Sequence, residues 1–389
     1  MRQHCLVQLE IAEKSVSQFE RGEADYPKYL SVADDLAARI RAGEWNHGKV
    51  PTVRDIASRY DVSSFTASRA LQTLRDRGLV VTRNRSGSYI TADRPPPRTS
   101  THSWAVVTHV SPGPWQSASE AVVKVGFERL ANAGTFHFYP LEFPTGTPAA
   151  DLERAALTLA HNGVDGVFFL PSRMSEELCR QDEWFLAGCR KARLPVVLID
   201  RNLRGEGRPL AYDLVASDHF EGGLRCTEHL LDRGRQRVAC IVASPTSTHS
   251  NRLAGYLFAL QHSEPRREPW VIRVPENLDA RETYPWIAEQ LIRGEADGVI
   301  CYQDYVAVGV ILELFRRGRN VPRDVAVVGC DDLPIGQSFG LGVTTYTYPS
   351  EAIARGAVER MLHRMARPDD LPAKLLYPGQ LVVRDSTVG

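Results

Sequence analysis

A chain of 389 residues that is 43% hydrophobic, with 47 Lys+Arg against 47 Asp+Glu, has room for two or three domains with substantial cores. It holds no run of eighteen apolar residues, and Glu10, Glu13 and Lys14 stand where a signal peptide needs an apolar segment, so neither a membrane span nor a leader is expected. Seven cysteines, an odd number with no CxxC pair, point to the cytoplasm and away from a zinc site.

The neutral total hides an asymmetry. From Tyr26 to Arg94 there are 12 Lys+Arg against 7 Asp+Glu, a local +5, which suits a nucleic-acid affinity carried by one module. Residues 1–25 form an N-terminal extension assigned to no element. The Tyr29 to Ala42 segment predicts a helix, because Tyr29, Val32, Ala33, Leu36 and Ile40 make one stripe and Gly43 closes it. A second helix starts after Thr52, where Thr52-x-x-Asp55 reads as a capping box, with Val53, Ile56, Ala57 and Tyr60 on its inner face. After a tight turn at Asp61-Val62, Ser63 is the expected N-cap of a third helix. Ala67, Ala70, Leu71 and Leu74 of that helix point inward, and Ser64, Phe65, Ser68, Arg69 and Gln72 outward. Two helices joined by so short a turn predict a helix-turn-helix whose second member enters a DNA major groove. Leu79 to Thr82 and Ser88 to Thr91 alternate like two strands around a basic tip, Arg83 to Gly87, and so read as a wing.

This order, with LxxLRDRGLV ahead of the wing, resembles the winged helix-turn-helix of the GntR regulators over Tyr29 to Ile90. The resemblance implies a DNA-binding domain over residues 26–92. Arg54, Ser63, Thr66 and the wing residues Arg83, Arg85, Ser86 and Gly87 fall where that family touches DNA, and Ser64, Phe65 and Arg69 lie on the same outer face. The family often has Arg at the positions of Ser64 and Ser68 and Gly at that of Arg85, so the base-by-base readout does not carry over. A small helical domain that binds protein is the alternative for this module.

Residues 93–103 hold Pro95-Pro96-Pro97 in a Ser/Thr/Arg setting, a semi-rigid spacer and the expected domain boundary. From Trp104 to Gly389 apolar strands alternate with helices. Trp104 to Val110, Phe136 to Phe143, Val164 to Leu170 and Pro195 to Ile199 come first. Arg237 to Val242, Trp270 to Val274, Gly298 to Cys301 and Val325 to Val328 follow. Such alternation predicts an α/β fold with parallel, doubly wound sheets, too long for one sheet and so divided into two subdomains. Ligands bind such sheets at the carboxyl ends of the strands.

The strand ends carry VVLIDRN, NRLAGYLFAL, VICYQDYVAVG and VPRDVAVVGCDDLP, in an order that resembles the effector domain of LacI/GalR regulators, which has the periplasmic-binding-protein fold. A GntR-like reader joined to a LacI-like sensor is most similar to the arabinose-repressor type of bacterial regulator. The resemblance implies that Asp200, Arg252 and Asp304 contact an effector from both sides of a cleft, with Arg201 beside them. Carboxylates and a forked guanidinium together bind vicinal hydroxyls, so the expected effector is a carbohydrate. Each residue has a structural alternative: Asp304 as a helix cap, Arg252 as an ion-pair partner, Asp200 and Arg201 as a local salt bridge. Trp115, in the loop SPGPWQS, is placed to stack on a sugar face or to serve as a core or lid residue. Asp331 and Asp332 read as turn residues. Leu278 replaces an aromatic that is frequent in the family.

The alternative function is an enzyme-like α/β domain fused to the reader. A pyridoxal-phosphate domain would need a Schiff-base lysine, and Lys124, Lys191 and Lys374 do not sit in a suitable strand-end loop. GxxxxGK[ST], GxGxxG and HExxH motifs are absent from the sequence. No cofactor, metal or catalytic residue is expected. The expected partners are near-palindromic operator DNA, a small-molecule effector and a second copy of the chain. Chain crossings between the subdomains are expected near Asp200-Arg201, Pro334 and Tyr348.

Overall fold

The computed structural model describes residues 28–41, 50–76, 79–83, 87–90, 102–110, 117–132, 136–144, 146–172, 175–275, 278–338 and 340–388. The N-terminal extension, most of the Pro-rich spacer, Trp115, Arg85 and Ser86 lie outside them, as does the side chain of Arg83. The chain divides into two compact units, residues 1–99 and 100–389.

The first unit holds helices α1 (Lys28–Arg41), α2 (Val53–Arg59) and α3 (Ser64–Asp76), then strands β1 (Val80–Arg83) and β2 (Gly87–Ile90). Local chemistry sets its boundaries. Thr52 accepts from the Asp55 N–H at 3.3 Å while Asp55 accepts from the Thr52 N–H at 3.0 Å, a complete capping box. Ser63 Oγ accepts from the Thr66 N–H at 3.1 Å and caps α3. Val32, Leu36, Ile56, Ala70, Leu71 and Leu74 form the core behind the reading pair. β1 and β2 pair antiparallel from Val80↔Ile90 to Arg83↔Gly87, which makes the expected wing. Asp35 ties α1 to α2: the Tyr60 hydroxyl donates to Oδ2 at 2.5 Å and Arg39 Nε at 2.6 Å, and these bonds lower the Asp35 pKa.

The second unit contains two six-stranded sheets. The first, in the order β4-β3-β5-β6-β7-β13, is parallel throughout. Its strands are β3 (His102–Val110), β4 (Phe136–Pro144), β5 (Gly166–Phe169), β6 (Val196–Ile199), β7 (Asp213–Ser217) and β13 (Lys374–Tyr377). The second, in the order β9-β8-β10-β11-β12-β14, is parallel except for its last pair. It is built from β8 (Val238–Val242), β9 (Trp270–Arg273), β10 (Gly298–Ile300), β11 (Ala326–Asp331), β12 (Thr344–Thr347) and β14 (Leu381–Val382). Helices cover both faces of each sheet. On the first sheet α4 (Ser117–Asn132) and α12 (Ser350–Ala366) pack one face, and α5 (Ala149–His161) and α6 (Glu176–Lys191) the other. On the second, α7 (His219–Asp232) and α8 (Ser247–His262) oppose α9 (Ala280–Arg293) and α10 (Asp304–Arg316). The short α11 (Pro334–Ser338) follows β11.

The strands are continuous apolar runs because both faces are buried: Val196–Ile199 and Val238–Val242 are buried at every position. The chain crosses between the sheets three times, at residues 217–219, 347–350 and 377–381. The crossing expected near Tyr348 is present. Those expected near Asp200 and Pro334 are not, because the chain after Asp200 returns to its own sheet as β7, and Pro334 begins a helix between two strands of one sheet.

Candidate functional site

In the first unit the outer face of α3 is open. Phe65 is 75% exposed, and Ser64, Ser68, Arg69 and Gln72 are exposed beside it. Arg54 projects from the first turn of α2 and is exposed. Ser63 and Thr66 serve the helix start, their hydroxyls 2.9 Å apart. The Arg69 guanidinium lies 4.1 Å from the centre of the Tyr29 ring, a cation–π contact that orients it and fastens α3 to α1. Gly87 opens β2, opposite Arg83.

In the second unit a cleft opens at the carboxyl ends of the strands, where both sheets present their loops. Asp200 and Arg201, after β6, line it from one subdomain, with Val122 and Val123 of α4. Ser244, Thr246, Thr248, His249 and Arg252, from the start of α8 and the loop before it, line it from the other. Tyr302, Gln303 and Asp331, at the ends of β10 and β11, complete that wall. His219 and Tyr348 also reach the cleft, and both belong to chain crossings. The enclosed space is about 30 Å³, enough for one or two waters. The Asn202 N–H reaches across to donate to Ser247 Oγ at 2.9 Å.

A chain of contacts organises the cleft. His219 Nε2 lies 3.0 Å from Asp200 Oδ1, and Arg252 Nη2 lies 3.2 Å from His219 Nδ1. Because guanidinium only donates, Nδ1 accepts and Nε2 carries the proton given to Asp200. Arg252 Nη1 donates to the Tyr302 carbonyl at 2.9 Å, which pins the guanidinium to the end of β10. Burial alone would raise the Asp200 pKa, but His219, Arg201 and Arg252 together hold it below the usual carboxylate range. Asp331 is shifted the other way: burial pushes its carboxyl up, with Arg252 opposing, and Gln303 Nε2 stands 3.4 Å from Oδ2. Asp200 and Asp331 both adopt positive φ, +66° and +90°. A left-handed backbone at a non-glycine residue costs roughly 1–3 kcal/mol and gathers at ligand sites.

Three close approaches at glycines shape the packing around the cleft. A Cβ on Gly223 of α7 would sit 2.0 Å from the Arg252 carbonyl oxygen, and one on Gly255 of α8 would sit 2.0 Å from that of Phe220. These glycines let α7 and α8 touch backbone to backbone beside His219 and Arg252. Gly329 performs the same service for Asp304, whose Oδ1 would lie 2.0 Å from its Cβ.

Of the residues expected to hold an effector, Asp200, Arg201 and Arg252 come together. Asp304 does not join them. It is fully buried at the start of α10, its Oδ2 accepts from the Leu333 N–H at 2.6 Å, the Thr345 side chain stands beside its carboxyl, and Oδ1 has no hydrogen-bond partner among the described residues. Burial pushes its pKa well above the usual range. Its carboxyl braces the β11–α11 turn rather than facing the cleft. Asp331, read from sequence as a turn residue, lines the cleft in its place.

The comparisons with known proteins agree with this fold. Residues 28–90 match the bacterial regulatory proteins of the gntR family, and residues 227–387 match the periplasmic binding protein-like domain. The arabinose metabolism transcriptional repressor of Geobacillus stearothermophilus is 24% identical over 377 residues, which span 94% of this chain and 99% of that one. The HTH-type transcriptional repressor PurR of Escherichia fergusonii is 25% identical over 346 residues, 86% of this chain and 96% of that one. Among solved structures, a complex of the transcriptional regulator CelR with cellobiose superposes with a TM-score of 0.61 at 22% identity, covering 92% of this chain and 98% of that one. A LacI family regulator from Enterococcus faecium with bound ribose gives 0.56 at 21% identity, covering 73% and 98%. The chain joins a DNA-reading domain of the gntR family of bacterial regulatory proteins to a periplasmic-binding-protein-like domain, the two-part build of a bacterial transcription regulator.

Proposed function

We propose that the protein is a ligand-responsive repressor that acts by binding rather than by turnover. The winged head reads operator DNA, and a carbohydrate or sugar derivative in the cleft changes its operator affinity. The observation that carries this reading is the position of His219 and Tyr348, which line the cleft while lying on the segments that cross between the subdomains. A ligand touching them alters the angle between the sheets directly, and its different fit to open and closed forms moves the equilibrium. Asp200, Arg201, Arg252 and Asp331 are the proposed polar contacts, and Trp115 remains a candidate outside the described residues. The names of the CelR–cellobiose and ribose-bound relatives support a sugar.

At the DNA end, Arg54, Arg83, Arg85, Ser86 and Gly87 are assigned to the phosphate backbone. Ser64, Phe65 and Arg69 are assigned to the groove, with Ser63 and Thr66 at the helix start. Two copies of the chain in a symmetric dimer would present two heads to a near-palindromic site. The test is a thermal-shift panel of sugars and nucleosides on the full chain, followed by operator binding with each stabilising compound. A panel in which no compound stabilises the protein or alters operator binding would remove the sensor reading.

A further inference from the structure

Arg201 is 3% exposed and lines the cleft, yet its guanidinium makes no hydrogen bond to a described residue. Its Nε is buried without an acceptor, and its ion pair with Asp200 Oδ2 spans 3.5 Å. A guanidinium carries five donors in a planar fork. A buried donor left unmet destabilises the fold, and more so when it is charged. Arg252, by contrast, has its two hydrogen bonds to Tyr302 and His219.

The start of α8 lines the same cleft as Arg201, and the N–H of Asn202, the next residue in the chain, donates to Ser247 Oγ there. The helix is 16 residues long and carries no acidic residue in its first turn. No carboxylate of its first turn therefore offsets its positive end, and the Thr246 hydroxyl caps one of its N–H groups, that of His249, at 3.4 Å. Thr246 and Thr248 line the cleft there, their hydroxyls 2.8 Å apart. Asp200 faces two guanidinium groups and an imidazole, so it cannot neutralise the site alone. The second carboxylate, Asp331, is on the wall formed with Gln303.

We infer that the small molecule held in this cleft carries an anionic group, a carboxylate or a phosphate, seated between the Arg201 fork and the N-terminus of α8. Its hydroxyl-bearing end faces Gln303 and Asp331. The inference rests on the sensor reading and narrows it from sugars in general to acidic or phosphorylated ones. Bidentate guanidinium contacts and helix N-terminal N–H groups are the two standard ways of binding such oxyanions.

The test uses the full chain and three sets of probes at matched ionic strength: inorganic phosphate, short carboxylates with uronic acids, and neutral sugars with their phosphorylated forms. Thermal unfolding and calorimetry are measured on wild type, Arg201→Gln, Arg201→Lys and, as a remote control, Arg293→Gln. The expected result is a Tm rise with phosphate or with a carboxylate beyond that given by sodium chloride, and whichever set acts identifies the anion. Arg201→Gln should weaken apparent affinity at least ten-fold, Arg201→Lys should weaken it less, and Arg293→Gln should leave it unchanged. Thr248→Val, which keeps the cation, should also weaken it, and this keeps the test open if Arg201→Gln does not fold. Equal anion binding by wild type, Arg201→Gln and Thr248→Val would overturn the inference. So would stabilisation by neutral sugars with none from any anion, an outcome that leaves the sensor reading standing. Stabilisation by no probe at all would bring down both.

Discussion

The contact between α7 and α8 is the most exacting piece of packing at the cleft, and it can be tested with one methyl group. A Cβ on Gly223 would lie 2.0 Å from the Arg252 carbonyl oxygen, 2.8 Å from its carbon and 3.0 Å from its Cα. All three are backbone atoms of a helix, so rotamer change offers no relief. To restore an acceptable contact the helices must part by about 1 Å, and overpacking of this kind costs roughly 1–3 kcal/mol. A shift of that size at Arg252 is enough to break its 2.9 Å bond to Tyr302 and its 3.2 Å contact with His219. Gly223→Ala should therefore lower the urea midpoint and also weaken effector binding, although residue 223 does not line the cleft. Gly255→Ala meets the Phe220 carbonyl oxygen at 2.0 Å and should act alike. Because both methyls force the same two helices apart, the double variant should lose less than the sum of the singles, by about 0.5 kcal/mol or more. A Gly223→Ala protein within about 0.5 kcal/mol of wild type, with its ligand response intact, would refute the packing argument.

Other consequences follow from named contacts. Asp304 is buried with its pKa raised, so the folded protein holds a proton that the unfolded chain releases above the ordinary carboxylate range. Stability should fall as pH rises from that range toward the raised value, and Asp304→Asn should gain on wild type across the same window, as measured by thermal unfolding from pH 4 upward. A constant difference at all pH values would contradict the assignment. Asp200 has the opposite sign: with its pKa lowered, its contribution is present above the ordinary range and is lost only in stronger acid. Arg83→Ala or Arg85→Ala should weaken binding to all DNA sequences alike and reduce the salt slope by about one unit. Phe65→Ala should reduce affinity for a mapped operator more than for random DNA, because an exposed aromatic ring in the groove can meet a thymine methyl, and equal losses on both would remove Phe65 from base readout.

The reading head was legible because its signals are local. The Thr52–Asp55 box, the Ser63 cap and the inward stripe of α3 each lie within about one turn of the residues they organise, and all are present. The second unit was legible as alternating buried strands, apart from β7, β12, β13 and β14, each of five residues or fewer, the first three holding polar residues within their short runs. The cleft was half legible. Asp200 and Arg252 could be placed from a strand end and a helix start. His219 and Tyr348 could not, because their role depends on where the chain changes sheets, a property of strand pairings far apart in sequence. Asp304 and Asp331 exchange roles for a similar reason. Both are acids near a strand end, and only the glycine at 329 and the positive φ at 331 decide which carboxyl is packed under the β11–α11 turn and which faces the cleft. Arg201 reads in sequence either as an effector contact or as half of a local salt bridge with Asp200. Its 3.5 Å separation from Asp200 and its empty donors are facts of three-dimensional geometry alone.

The central claim is that occupancy of this cleft controls DNA binding. The most direct measurement is an anisotropy titration of a mapped operator with the full chain, with and without a saturating amount of the compound that most raises its Tm, on wild type and Arg252→Ala. The account predicts that operator affinity of the wild type changes by about five-fold or more, within the span of roughly 1–3 kcal/mol usual for allosteric coupling. In Arg252→Ala the operator should still be bound and the ligand should make no difference. Equal wild-type affinity with and without ligand, or a full ligand response in Arg252→Ala, would contradict it.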